Sequence, residues 1–144
     1  MTARKMGAAG LKIVKQFEGC KLSAYRCPAG IWTIGYGSTG PHVKPGMVIT
    51  RQRADALLQD DLARFEAAVD NAAPRASQNQ FDAMVAFAFN VGITAFTKST
   101  LLRKHKAGDF AGARAEFARW NKAGGKVLPG LTRRRAAEAA LYAA

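Results

Sequence analysis

The sequence predicts an α+β fold, a small β-hairpin lobe joined to a larger helical lobe with a cleft between them. Three observations carry this reading. Leu11, Val14 and Glu18 lie at helical spacing, with Ile13 and Phe17 beside them. Leu22 to Gly40 is Gly-punctuated and rich in aromatic and β-branched residues, as hairpins are. From Thr50 onward the apolar residues recur at helical spacing, interrupted by Pro and Gly. The chain has 144 residues, 49% of them apolar, enough for one core and too few for independent units. We therefore expect one domain over 1–144, with a β-rich lobe at about 20–48. The helical lobe spans about 50–144, with the first helix packed onto it.

The elements follow in order. Helix one covers roughly residues 6 to 19. Two or three short strands come next, with Pro28-Ala29-Gly30 as the first turn. Ser38-Thr39-Gly40-Pro41 forms an exit loop and Pro45-Gly46 another turn. Thr50 is placed to cap an amphipathic helix whose stripe is Ala54, Leu57, Leu58, Leu62, Phe65 and Val69. Ala72-Ala73-Pro74 breaks it. Ser77 with Gln80 reads as a capping box that opens a helix from about Gln78 to Val91. That helix is apolar nearly all round, which predicts a core position, and Gly92 ends it. Further helices are expected near Ser99–Lys106 and from Asp109 to about Trp120. Asn121–Gly130 reads as a Gly- and Lys-rich loop before an Ala-rich helix starting near Leu131. No internal repeat or long linker interrupts this order.

Charge narrows the partners. Lys and Arg number 22 against 10 Asp and Glu, a net charge of +12. Basicity at that level speaks to nucleic acid, anionic lipid or an anionic polymer such as a cell wall, and not to fold. Two cysteines are too few for a disulfide scaffold, and Cys20 is not expected to pair with Cys27. No apolar run reaches the roughly 18 residues of a membrane span. The start, Met1-Thr2-Ala3-Arg4-Lys5-Met6-Gly7, is basic, but Lys12, Lys15 and Gln16 interrupt any apolar signal region. No signal peptide or anchor is expected. His42 and His105 are isolated and lack metal-ligand spacing, so no metal and no cofactor are expected.

The chemistry concentrates in Phe17 to Thr39. Glu18 closes the first helix, and Cys27 and Thr33 follow it by nine and fifteen positions on the hairpin. An acid at a rigid helix end, facing a polar group and a hydroxyl on a small sheet, can hold one bond between them. Glycosidic cleavage needs such a set, with a proton donor on one side and a positioned water or nucleophile on the other. The edge of an apolar stripe favours the protonated form that a general acid requires. The plainer alternative for Glu18 is a solvated carboxylate at a helix C-terminus, which the helix dipole disfavours mildly.

This arrangement resembles the phage lysozymes, or endolysins, of glycoside hydrolase family 24, which cut peptidoglycan. Glu18, Cys27 and Thr33 match the Glu, Asp (Cys in some members) and Thr of that family, around Ile31-Trp32-Thr33-Ile34-Gly35-Tyr36-Gly37. Further matching blocks are Phe87-Ala88-Phe89-Asn90-Val91-Gly92, Phe96-Thr97-Lys98-Ser99 and Trp120 through Pro129-Gly130-Leu131-Thr132-Arg133-Arg134-Arg135. The likeness covers nearly the whole chain. It implies a single lysozyme-like catalytic domain that is a muramidase, cleaving the β-1,4 bond between N-acetylmuramic acid and N-acetylglucosamine. It also implies residence in the bacterial cytoplasm until a separate pore releases the enzyme to the wall.

On that resemblance Glu18 is the general acid, with an Arg from the Arg133–Arg135 run against it; Arg134 is our choice. Cys27 stands where Asp is commoner, and with Thr33 it would hold the attacking water. A thiol does this only when ionised, and a free one titrates near ~8.5 unless neighbours lower it. Arg26 is the adjacent cation expected to help. Thr39, Phe89, Ser99 and Arg114 match sugar- and peptide-contacting positions. Asn90 and Trp120 resemble a helix-to-helix hydrogen-bonded pair beside the cleft. Ser38 departs from the family, where His commonly follows Gly-Tyr-Gly, and its loss bears on local stability more than on chemistry. The partner implied is peptidoglycan, with charge drawing a monomer to the anionic wall or outer-membrane surface. Two other readings compete: a wall-binding relative that has lost turnover, fed by Cys27 and Ser38, and a basic nucleic-acid or membrane-active protein, fed by charge. No helix-turn-helix or RNA-binding signature supports nucleic acid, which is not expected.

Overall fold

The computed structural model describes residues 4–144, so the Met1-Thr2-Ala3 part of the basic start lies outside the described residues. The chain forms two compact units: Lys15–Ala63, and the chain up to Val14 together with Arg64–Ala144. The division falls inside α1 (Ala8–Glu18) and α2 (Arg51–Ala72).

The Lys15–Ala63 unit holds an antiparallel sheet of β1 (Lys21–Arg26), β2 (Trp32–Gly35) and β3 (Ser38–Thr39), in that order. Tyr25 faces Thr33, and Thr33 in turn faces Thr39. The register shifts between Lys21 and Tyr25, as an irregularity of the first strand. On the other edge of β1, Ala24 N donates to Met47 O at 2.8 Å and Ile49 N to Leu22 O at 2.8 Å. That pairing occupies an edge that would otherwise present free backbone groups. The core here is Ile34, Tyr36, Val43, Ile49, Ala54, Leu57, Leu58 and Leu62, all buried. Thr50 Oγ1 accepts from Arg53 N at 3.1 Å, the cap that its hydroxyl predicted. Lys15 reaches Asp55 at 3.1 Å and fixes the end of α1 to the start of α2.

The second unit is helical. Ser77 and Gln80 form the full capping box that opens α3 (Gln78–Val91). Phe81 through Ala88 are buried without a break, so α3 is the core helix that its all-round apolarity predicted. The rings of Phe96, Phe117 and Trp120 stand edge-on to Phe87, with centroids 6.4, 5.4 and 5.3 Å away. Around α3 lie α4 (Ile93–Thr97), α5 (Thr100–Lys106), α6 (Phe110–Glu116) with a 3-10 turn at Phe117–Arg119, and α7 (Pro129–Ala143). The start of α1 is sewn to this unit by carboxylates. Met6 N donates to Glu66 at 2.6 Å, and Gly7 N to Asp82 at 3.1 Å. Gly10 permits the approach, since a Cβ there would stand 2.7 Å from Asp82 Cβ.

Two elements depart from the sequence reading. Asn121–Gly130 is not a plain loop: β4 (Lys122–Ala123) and β5 (Lys126–Val127) pair across Gly124-Gly125. Helix α4 fills what the sequence left between Gly92 and Ser99. Both are too short for a period to show. No helix among the described residues is long and apolar enough to cross a membrane.

Candidate active site

The Glu18–Cys27–Thr33 set falls wholly within the Lys15–Ala63 unit. Glu18 is the last residue of α1 and is half-buried. Its carboxylate lies beside the β2–β3 turn, where a Cβ built on Gly37 would stand 3.6 Å from Oε1. Gly37 has φ +89°, which a side chain would strain, so the turn passes the acid as bare backbone.

Cys27 sits just past β1 in a tight turn. Its N–H donates to Ile31 O at 3.0 Å, and its carbonyl accepts from Gly30 N at 2.8 Å. The turn folds the Ile31 amide back onto the sulfur. That amide holds the thiol below its ordinary range; partial burial opposes this, and the Ala29 amide and the Thr33 hydroxyl reinforce it. Arg26 plays no part in the shift. Its guanidinium stacks on Trp32, 5.3 Å from the ring centroid, so the cation expected to ionise Cys27 is spent on an aromatic face. Cys27 and Cys20 are both free thiols, each half-buried.

Thr33 is 4% exposed and donates to Ile31 O at 3.0 Å. It also hydrogen-bonds the Cys27 sulfur. One hydroxyl proton cannot serve both acceptors at once, so the threonine can turn between carbonyl and sulfur. A rotor of this kind beside a thiol whose anion is favoured suits the orienting of a small nucleophile. Ser38, where the sequence departs from the expected His, is 2% exposed, and its Oγ lies 3.1 Å from His42 Nε2. A histidine four positions later thus ties Ser38 into the loop. Thr39 is exposed opposite Thr33.

The remaining candidates belong to the helical unit. Phe89 is half-buried, with its ring edge-on to Phe65 at 5.1 Å. Arg114 is exposed in the last turn of α6. Ser99 is occupied as the cap of α5: its hydroxyl donates to Phe96 O at 2.6 Å and accepts from Leu102 N at 3.1 Å. Its donor is therefore spent. Asn90 and Trp120 are tied together through Arg135, which donates to Asn90 Oδ1 at 2.7 Å and to Trp120 O at 3.3 Å. The expected direct pair is thus a bridge, and sequence reasoning missed the bridging residue. Arg134 is 3% exposed, with Nε 3.1 Å from Glu138 and one terminal nitrogen donating to Ala86 O at 3.1 Å. Glu138, fully buried, also pairs with Arg135 at 2.8 Å. Burial pushes its carboxyl up, and the two guanidiniums pull it back down. Among the described residues no cluster of His, Cys, Asp and Glu could hold a metal ion.

The chain matches the family described as Phage lysozyme over residues 15–138. It is 48% identical over 138 residues to the endolysin of Acyrthosiphon pisum secondary endosymbiont phage 1, spanning 92% of this chain and 94% of that protein. The endolysin of Bacillus phage PZA is 47% identical over 141 residues, which cover 96% of this chain and 55% of that longer protein. Among solved structures, the muramidase domain of SpmX from Asticaccaulis excentricus superposes with a TM-score of 0.90 at 40% identity. That match covers 98% of this chain and 99% of the domain.

Proposed function

The chain belongs to the phage lysozyme family and is a peptidoglycan-cleaving muramidase, and we propose that Glu18, Cys27 and Thr33 carry its chemistry. The bond cut is the β-1,4 link between N-acetylmuramic acid and N-acetylglucosamine. Glu18 gives its proton to the glycosidic oxygen as that bond breaks. A water held by Thr33 attacks the anomeric carbon, and its proton passes to the Cys27 thiolate. One proton leaves on the released hydroxyl and one ends on sulfur; exchange with solvent restores both groups. The observation that carries the assignment is the set of amides and hydroxyl around Cys27, which favours an anion beside a rotatable hydroxyl.

Thr39, Phe89 and Arg114 are the side chains we assign to glycan and peptide contact. Ser99 is retained with only an acceptor position to offer. Arg134, Asn90 and Trp120 are assigned to support. The whole chain acts as one lysozyme-like catalytic domain and as a monomer. The net charge of +12 draws it to the anionic wall. It serves phage release from the cytoplasm through a separate pore. Digestion of purified wall, with analysis of the new reducing ends, tests the reading. Fragments ending in N-acetylmuramic acid are expected; N-acetylglucosamine ends, or peptide cuts alone, would refute it.

A further inference from the structure

Ser38 sits between two residues that each meet one half of the site proposed above. Before it, Gly37 passes the carboxylate of Glu18, where a Cβ would stand 3.6 Å from Oε1. After it, Thr39 stands opposite Thr33 in the sheet. Strand β3 is these two residues alone, Ser38 and Thr39, so its ladder with β2 supplies little hold of its own. Whatever fixes Ser38 therefore fixes both flanks of the reacting groups together.

The side chain that fixes it is His42. Ser38 is 2% exposed, and its hydroxyl and His42 Nε2 are 3.1 Å apart. A serine hydroxyl both donates and accepts, so the bond forms with either tautomer of the ring. A buried hydroxyl left without a partner costs free energy, and that cost ties Ser38 to the histidine.

The loop between them is shaped to bring the ring back. Gly40 has φ +128°, and a Cβ there would stand 3.2 Å from Nδ1 and 3.3 Å from Cε1 of His42. That is closer than ordinary contact, so the ring lies over bare backbone. Val43 N donates to Gly40 O at 3.0 Å, and the Val43 side chain is buried, which anchors the loop one residue past the histidine. His42 itself is exposed. An exposed ring buries little apolar surface, so what it gives the fold is the hold on Ser38. A staple elsewhere in the loop would serve stability as well; this one acts on the residue between the two flanks.

We propose that His42 is a positioning residue for glycan cleavage, acting through Ser38 to keep Gly37 against Glu18 and Thr39 against Thr33. It touches no reacting atom. The proton donor and the hydroxyl that orients the water serve opposite sides of one bond, so they must be aligned together. Without the histidine the β2–β3 turn shifts, and both alignments loosen at once. The inference rests on the muramidase reading.

The test is steady-state kinetics on purified wall, well below every melting transition, with His42→Ala, Ser38→Ala, their double variant and His42→Gln. His42→Ala should lower kcat about tenfold and raise KM no more than about twofold. Ser38→Ala should match it, and the double variant should be no worse than either single, because all three remove one bond. His42→Gln should recover most of the rate, since its amide can meet the same hydroxyl. Amide hydrogen exchange gives a readout besides turnover: residues 37–39 should exchange faster in His42→Ala, while α2 keeps its wild-type rates. Unchanged kcat in His42→Ala, a loss confined to KM, additive losses, or a glutamine no better than alanine overturns the inference. So does unchanged exchange at the turn. If the wild type does not cleave wall, the muramidase reading falls, and exchange still decides whether His42 holds the turn.

Discussion

The carboxylate of Glu18 and the backbone of Gly37 are neighbours: a Cβ on that glycine would stand 3.6 Å from Oε1. That distance is ordinary contact, so Gly37→Ala does not clash with the acid. Its cost comes from φ +89°, at roughly 1–2 kcal/mol for a side chain in left-handed backbone. Thermal unfolding should show Tm lowered by several degrees. Relief of the strain moves the turn against Glu18, so kcat should fall as well. An unchanged Tm would show that the turn tolerates a side chain and that the glycine is there for another reason.

Glu18→Gln should abolish cleavage with the fold intact. The amide keeps the shape but has no proton to give to the glycosidic oxygen. Turnover on purified wall and a melting curve measured together decide it. Near-normal turnover with an unchanged curve removes Glu18 from the role of acid.

Much of this was legible in the sequence because the relevant signals are local. The capping box at Ser77–Gln80, the break at Pro74 and the nearly all-apolar Phe81–Ala88 stretch each act within a few residues. Glu18, Cys27 and Thr33 were also named together from spacing and the surrounding block, and all three fall in the Lys15–Ala63 unit. What did not come through depends on where backbone goes in three dimensions. The sequence placed a cation, Arg26, next to Cys27, but the fold turns it onto Trp32 and gives the sulfur to the Ile31 amide. Backbone donors leave no trace in residue identity. Arg135 likewise was passed over in the Arg133–Arg135 run in favour of Arg134; only packing of α7 on α3 makes it the link between Asn90 and Trp120.

That buried cluster has a stability consequence. Glu138 is fully buried between Arg134 and Arg135, and removing its charge takes away the interior carboxylate that both guanidiniums share. Breaking such a pair typically costs ~3–5 kcal/mol. Glu138→Gln should therefore lower Tm by ten degrees or more, or prevent folding at growth temperature. A shift of only a degree or two would mean that water or rearrangement compensates the arginines.

Activity on whole wall should fall steeply with added salt. A chain of net charge +12 gains association rate from long-range attraction, which is screened beyond ~8 Å at physiological ionic strength. Lysis rates measured from low to high salt check this. The rate on a short uncharged glycan, which lacks the polymer's field, should respond far less. A flat profile on wall rules out steering as a major contribution.

The most discriminating measurements concern Cys27. If its thiolate accepts the proton of the attacking water, activity must rise with pH as the thiol ionises. The midpoint should lie below the ordinary thiol range, because the Ile31 amide and its neighbours favour the anion. Cys27→Asp should keep or raise activity and move that limb down toward the carboxylate range near ~4. Cys27→Ala should lose several orders of magnitude, since nothing then takes the proton. Alkylation should inactivate the wild type along the same pH curve and spare Cys27→Asp, with Cys20→Ala as the control for the second thiol. If Cys27→Ala works as well as the wild type, the sulfur is only a turn residue. The water would then be held by Thr33, whose hydroxyl already has Ile31 O as its alternative partner.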